Sequence, residues 1–310
     1  MHITLRQLRI FEAVARHGSM SLAANELHLS QPAVSMQIKQ LEEQIGLPLI
    51  EKVGRKLALT EVGLELRLYA QRFTVLAHEL QATMDQYRGL HRGILRLAIV
   101  STACYFLPPL IARLNDRYPG VHIALEVGNR DSVFGALAEG RAHLAISGQP
   151  PDSDELIAQP FLDNPLVVVG APTHRLAGAR SVSLARLSEE ALVVREAGSG
   201  TRAAVERLFA ERGLSYTPGC ELNTNEAVKQ VVRAGLGLGI VSAQTVELEV
   251  QVKQLAIVPV EGFPIVKRWY IVRRKDQRLS AAASAFRDVL LASRRGAERT
   301  SSGSAVSGRR

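Results

Sequence analysis

Three short stretches carry residue types suited to holding an anion. Ser101-Thr102 follows the apolar run Ile94–Val100, Glu196-Ala197-Gly198-Ser199-Gly200-Thr201-Arg202 follows Ala191–Arg195, and Asn223-Thr224-Asn225-Glu226 precedes AVKQVVRAG. Each opens a predicted helix, where unpaired backbone N–H groups and the helix dipole favour negative charge. Glycines at 198 and 200 let the backbone approach a ligand closely. Arg202 offers charge-assisted hydrogen bonds, and Ser101, Thr102 and Thr201 offer hydroxyl donors. The expected ligand is a small anionic metabolite, a carboxylate or a phosphate. The competing reading of each loop taken singly is a well-capped helix.

A second chemistry is written between Gly18 and Gly46, GSMSLAANELHLSQPAVSMQIKQLEEQIG. Ser19 and Ser21 suit the cap of a helix burying Leu22, Ala23 and Leu27. Ser30 suits the cap of a second helix, with Pro32 in its first turn, where no backbone N–H is needed. That helix would bury Val34, Ile38, Leu41 and Ile45, and present Gln31, Ser35, Met36 and Lys39 on its other face. Polar side chains at the start of an anchored helix can meet base edges in a DNA groove. A first helix comes from Leu5, Leu8, Phe11, Val14 and Ala15. LIEKVGRKLALT follows as a β-wing with Arg55-Lys56 at its tip, where arginine can enter the minor groove or meet phosphate. The alternatives are a two-helix corner of an all-α domain and an ordinary solvated basic turn.

Other elements must position these groups. From Thr60 to Tyr87 apolar residues recur mostly in steps of four and three, at Val62, Leu66, Tyr69, Phe73, Leu76, Leu80, Met84 and Tyr87. That is the seam of a coiled coil, and the expected cover is the same helix of a second subunit. A dimer of DNA-binding heads would read half-sites with dyad symmetry. Beyond Gly93 strands and helices alternate. Strands are expected at 94–100, 122–127, 144–147, 166–169, 191–195 and 269–273, and helices at 107–117, 132–138, 201–212, 225–234 and 281–293. The class is α/β. FLDNPL (161–166) and FPIVKRW (263–269) have the character of paired crossovers between two lobes.

Composition bounds the rest. The chain has 310 residues, enough for two or three domains, and 46% hydrophobic content. No apolar run is long enough to span a bilayer and no signal peptide is evident, so a cytoplasmic location with no membrane partner is expected. Cys104 and Cys220 make neither a disulfide framework nor a metal-binding spacing. His91, His122, His143 and His174 are scattered, and no catalytic or metal-ligating set is visible. GSGTR lacks the GK[ST] of a P-loop, and the glycines of AGLGLGI (234–240) read as a helix stop and turn. The net charge of +8 is not itself a DNA signature. Residues 1–60 carry seven Lys/Arg against five Asp/Glu, while 294–310 carry five Arg against one Glu. The tail reads as disordered.

Residues Leu5 to Gly63 resemble the DNA-binding region of the LysR-type transcriptional regulators, through LRQLRIFEAVARHGSMSLAANELHLSQPAVSMQIKQLEEQIGLPL and GRKLALTEVG. The resemblance implicates Gln31, Pro32, Ser35 and Met36 on the recognition helix, with Lys39 beside them, and Arg55 on the wing. Many members carry arginine where Met36 and Lys52 stand. It further implies the family's linker helix, a periplasmic-binding-protein-like effector domain of two lobes, and commonly a tetramer built as a dimer of dimers.

The division implied is a winged helix-turn-helix domain at 1–60, a dimerisation helix at 61–90, an effector-binding domain at 93–294 and a disordered tail at 295–310. Lobe one would be 93–162 with 267–294, and lobe two 163–266. VSTACYFLP, EVGNRDSV, SGQPPD, REAGSGTR, NTNEAVKQVVRAGLGLGIVS and PIVKRWYIVRR resemble the subgroup that regulates RuBisCO and Calvin-cycle operons. That implies an activator of carbon-fixation genes, acting with RNA polymerase. It also implies an effector among phosphorylated sugars, phosphoenolpyruvate and NADPH, with no resident cofactor. Ser101, Thr102, Asn129, Arg130, Gln149, Thr201, Arg202 and Asn225 are the candidate effector contacts. Lysine is expected where Cys104 stands. The alternatives are a regulator of another metabolic operon, an effector-independent DNA binder, and an enzyme acting on an anionic metabolite.

Overall fold

The computed structural model describes residues 3–53, 56–87 and 93–304, in two compact units. The first begins with α1 (Leu5–His17), α2 (Met20–Leu27) and α3 (Gln31–Ile45). Local chemistry sets their ends. Thr4 and Gln7 form a reciprocal capping box at the start of α1, and Gly18, at φ 59°, ends it. Ser19 caps α2 by accepting the Leu22 N–H, and Ser30 caps α3 by accepting the Ala33 N–H. Ser21 lies inside α2 and caps nothing. Phe11, Val14, Ala23, Ala24, Val34 and Leu41 fill the core between the helices. Leu22, expected on the buried face, is 52% exposed, because the two alanines turn the inner face of α2 one position onward.

The wing pairs β1 (Ile50–Val53) with β2 (Lys56–Leu59), antiparallel. Thr60 opens α4 (Glu61–Tyr87), its hydroxyl accepting the Gly63 N–H at 3.0 Å and donating to the Pro48 carbonyl at 2.8 Å. Gly63 lies so close to the wing that a Cβ would stand 2.1 Å from the Leu49 carbonyl oxygen. Val62 and Leu66 join the helix-turn-helix core. Further along α4, Tyr69, Phe73, Leu76, Leu80 and Met84 are exposed in the single chain.

The second unit is built on a nine-stranded sheet. One lobe holds β3 (Gly93–Val100), a 3-10 helix Ser101–Tyr105, α5 (Pro108–Arg117), β4 (Val121–Gly128), α6 (Arg130–Ala138) and β5 (Leu144–Ser147). Next, β6 (Leu156–Gly170) runs for 15 residues into the other lobe. There stand α7 (Leu184–Ser188), β7 (Leu192–Arg195), α8 (Gly200–Glu211), β8 (Pro218–Leu222), α9 (Asn225–Arg233) and β9 (Leu238–Ser242). A 3-10 turn (Ala243–Thr245), α10 (Glu247–Gln251) and β10 (Ala256–Val258) complete that lobe. β11 (Ile265–Arg274) then returns antiparallel to β6, with Asn164 opposite Lys267 and Leu162 opposite Trp269, and leads to α11 (Ala281–Ser304). The strand order is β4-β3-β5-β11-β6-β9-β7-β8, with β10 on β6.

Strands β3, β4 and β5 are mutually parallel, as are β7, β8 and β9. Helices cover both faces of such sheets, so the central strands are apolar on both sides. Leu97, Ile99, Leu144 and Ile146 meet Leu107, Leu114, Phe286 and Leu290 on one face of the first lobe. Ala98 and Ala145 meet Val133 and Leu137 on the other. The second lobe repeats the scheme with Phe209 on one face and Val228 and Val232 on the other.

The structure departs from the sequence expectations in three places. AGLGLGI is more than a stop and turn. Gly235, at φ 82°, ends α9, but Leu238–Ser242 is a buried strand, entered through Gly237 at φ 147°, where a Cβ would meet the Ala191 carbonyl oxygen at 2.3 Å. The expected strands 166–169 and 269–273 are longer than their sequence signal, because FLDNPL and the IVKRW of FPIVKRW, read as crossovers, are themselves strand in β6 and β11. The tail expected to be disordered from residue 295 continues α11 to Ser304. Ala, Glu and Arg there are good helix formers and extend a helix already nucleated by packing. Residues 305–310 lie outside the described residues.

Candidate DNA interface and effector cleft

Gln31, Pro32, Ser35, Met36 and Lys39 are all exposed on α3, on the face opposite Val34, Ile38 and Leu41. The apolar side anchors the helix, and the exposed side begins at its positive end. Met36 is 54% exposed and has no charge to offer, so its contact with a base would be apolar, as with a thymine methyl. Lys39 stands 3.9 Å from Glu43 in an open ion pair that water screens. Arg55 lies outside the described residues. The wing is fixed to α3 by Glu42, whose Oε1 accepts the N–H of Leu49 at 2.8 Å and of Ile50 at 3.2 Å. Behind it, Arg16 joins Glu12 at 3.1 Å and Glu26 at 2.7 Å, and His17 meets Glu26 at 2.6 Å. This cluster ties α1 to α2. The hydrogen bond from Arg16 does most to hold the Glu26 carboxyl down at about 2.

In the second unit a cavity of about 440 Å³ opens between the lobes. It lies beyond the carboxyl ends of β3, β4, β5 and β7, where parallel α/β sheets gather ligand-binding loops. Ser101 and Thr102 enter from β3, Asn129 from β4, Gln149 from β5, and Thr201 from the start of α8. Arg130 donates to the Gln149 carbonyl at 3.4 Å. Six of the eight predicted effector residues therefore line one cleft.

Arg202 and Asn225 do not. Arg202 turns away, pairing with Glu206 at 2.8 Å and with Glu221, and donating to the Arg195 carbonyl at 3.2 Å. Its charge is already balanced. Asn225 is 4% exposed and lies behind the cleft wall.

Sequence reasoning missed Arg195, Arg207, Lys267, Asn164 and Trp269, which also line the cavity. Arg195 ended an expected strand and Lys267 lay in the expected crossover FPIVKRW, and their direction depends on which strand lies beside them. Among the described residues no carboxylate pairs with Arg130, Arg207 or Lys267. Burial, and then the charges of Arg207 and Arg130, hold the Lys267 ammonium below the usual lysine range. Among the described residues Lys267 donates only to the Gly200 carbonyl, at 3.1 Å. Two carboxylates face the same cavity, Asp152 at its exposed rim and Glu196, which Arg195 already engages. The excess charge along the cavity lining is positive, as an anion would require.

Cys104 is exposed and Cys220 half-buried, both as free thiols. Burial pushes the Cys104 thiol up, away from a reactive thiolate. Among the described residues no group of three His, Cys, Asp or Glu is arranged to hold a metal ion, and no helix is long and apolar enough to cross a membrane.

Comparison with known proteins agrees with this geometry. Residues 5–64 match the model of the bacterial regulatory helix-turn-helix protein, lysR family, and residues 88–295 that of the LysR substrate binding domain. A RuBisCO operon transcriptional regulator of Allochromatium vinosum is 50% identical over 291 residues, covering 94% of this chain and 96% of that protein. The HTH-type transcriptional activator CmpR of a Synechocystis strain is 43% identical over 289 residues, covering 93% and 95%. The regulatory domain of Synechocystis CcmR, solved in complex with 2-PG, is 38% identical with a TM-score of 0.62, covering 65% of this chain and 97% of that one. Full-length CbnR bound to its target DNA shares the fold at a TM-score of 0.67 and 23% identity, over 94% of this chain and 100% of that one. With both of its units matched in sequence and in architecture, the chain belongs to the LysR family of DNA-binding bacterial transcriptional regulators.

Proposed function

We propose that this regulator activates carbon-fixation genes in response to a small anionic metabolite held in the cleft between the lobes. The observation that carries the reading is the set of Arg130, Arg207 and Lys267 that lines the cavity, with which no carboxylate pairs among the described residues. The likeness over nearly the whole chain to regulators named for the RuBisCO operon supports carbon-fixation genes as the targets. The 2-PG bound to a related regulatory domain supports an anionic effector. Phosphorylated sugars, phosphoenolpyruvate and NADPH are the candidates.

The exposed stripe on α4 supports a dimer, with Tyr69, Phe73, Leu76, Leu80 and Met84 covered by a second copy. Two dimers would then place pairs of recognition helices on dyad-symmetric double-stranded DNA. Effector binding would act through a difference in affinity between two settings of the lobes, and so alter DNA bending and access of RNA polymerase. Lobe one would be residues 93–162 and 267–294, and lobe two 163–266.

Footprinting upstream of a carbon-fixation operon, with and without the candidate effectors, tests the whole reading. A dyad footprint that shortens or shifts with one effector is expected. A specific footprint unmoved by every candidate overturns the carbon-fixation effector.

A further inference from the structure

Arg195 is a cleft cation held in place by three of its neighbours. It is 7% exposed. Nε and Nη2 grip Glu196 at 2.7 and 2.9 Å, Nη2 also donates to the Asn223 carbonyl at 3.2 Å, and Nη1 donates to Asn225 Oδ1 at 2.7 Å. A guanidinium has five N–H groups. Four are used, and the fifth is on Nη1, the nitrogen that Asn225 holds. The direction of the one remaining donor is therefore set by Asn225.

The other end of the same amide crosses between lobes. Asn225 Nδ2 donates to Thr102 Oγ1 at 2.9 Å, in a buried contact between residues 123 apart in sequence. Thr102 sits on the 3-10 helix that lines the cleft from the first lobe, and Asn225 is the first residue of α9 in the second. One turn along α9, Lys229 lies 5.0 Å from the centre of the Tyr105 ring, on the same 3-10 helix. Lys229 is held there by Glu226 at 2.8 Å and Glu249 at 2.6 Å. The 3-10 helix is thus tied to α9 at both of its ends.

The geometry points to Asn225 as a positioning residue that aims Arg195 into the cleft and latches the two lobes together. An anion that draws on Arg195 pulls on the same amide that holds Thr102. Occupancy of the cleft and the seating of the 3-10 helix are then linked events. The link to occupancy rests on the anionic effector proposed above; the hydrogen bond between Asn225 and Thr102 does not.

The test follows the Phe106 and Leu107 amides, which close the 3-10 helix on the Ala103 carbonyl, by hydrogen exchange in the full chain. The variants are Asn225→Ala, Thr102→Val and the double variant. Each single change is expected to speed exchange at these amides about fivefold, the size of one lost hydrogen bond. The double variant should be no faster than Asn225→Ala alone, since Thr102→Val removes a contact that Asn225→Ala has already removed. The Tyr118 amide, bonded within α5 of the same lobe, should not move.

Phosphoenolpyruvate and ribulose bisphosphate are titrated in parallel, and Asn225→Ala should bind about tenfold more weakly than wild type, as loss of an aimed charged donor predicts. Unchanged exchange in Thr102→Val, or effects that multiply in the double variant, overturns the latch. Wild-type protein that binds neither probe overturns the effector reading instead and leaves the exchange result to decide the latch.

Discussion

Glu42 and Leu49 are joined by a 2.8 Å hydrogen bond from the backbone N–H of the wing's entry to a carboxylate on the recognition helix. The same oxygen accepts from Ile50. The wing therefore moves with α3, because two backbone donors that the short sheet does not use are bound to it. Glu42→Ala leaves both N–H groups without that partner. A loss of about 1–3 kcal/mol is expected where a donor stays buried and unpaired. Thermal unfolding of the full chain, with operator binding beside it, checks this. Glu42→Gln keeps an acceptor and should retain most of both. An alanine variant that melts with wild type would show that water replaces the carboxylate at no cost.

The Arg16–Glu26–His17 cluster gives the DNA-binding unit a dependence on acid pH. The Glu26 carboxyl is lowered from 4.5 to about 2, chiefly by the Arg16 hydrogen bond. A depressed folded-state value means stability that is fully present above the unfolded glutamate range. That stability is lost as pH falls from about 4.5 to about 2. Glu26→Gln should flatten the unfolding profile of this unit across that window and leave the neutral region lowered but level. The side chain is half-exposed, so salt should shrink the difference. An unchanged acid limb in the variant would place the acid sensitivity elsewhere.

Met36 is a sharp probe of how the recognition helix reads DNA. It is exposed between Ser35 and Gln37 and makes no charge contact. Met36→Arg adds a cation on the exposed side of α3. Binding should tighten at low salt, and the salt dependence should steepen by about one phosphate contact. If the native contact is a thymine methyl, discrimination at that base pair should fall by about 1–3 kcal/mol. Competition between operator variants at two salt concentrations separates the two effects. Equal salt slopes in both proteins would mean that Met36 faces solvent in the complex.

The residues that were legible in advance acted locally. Ser19, Ser30, Pro32 and Gly46 announce helix ends through their own hydrogen bonds and dihedral angles, and the structure puts a boundary at each. Ser101 and Thr201 could be placed because a strand end followed by a helix start is a local pattern, whereas Asn129 rested on the family resemblance. Arg202 misled because its partner, Glu221, comes from a neighbouring strand that was not predicted. Lys267 was missed for a related reason. Alternation along β11 says which residues share a face, but only its register with β6, opposite Asn164, turns that face to the cleft. Leu238–Ser242 was missed because its glycines signal a turn, while the close approach to Ala191 that requires Gly237 is a tertiary fact.

Lys267 yields the most direct test of the cleft. Its ammonium is held below the usual range by burial and by Arg207 and Arg130. Without a ligand the charged form costs stability, so in the window below the unfolded lysine value the folded protein gains stability as pH rises. A bound anion reverses this by favouring the charged form. Effector binding should therefore take up a proton at alkaline pH, and affinity should fall as pH rises through the depressed value. Titration calorimetry in two buffers of different ionisation enthalpy reads that uptake directly. Lys267→Met should abolish the proton uptake, weaken binding by about tenfold or more through loss of a charged donor, and raise stability in the absence of effector. If Lys267→Met binds the anion with wild-type affinity and the same pH profile, Arg130, Arg195 and Arg207 carry the charge recognition and Lys267 serves only to hold the Gly200 loop.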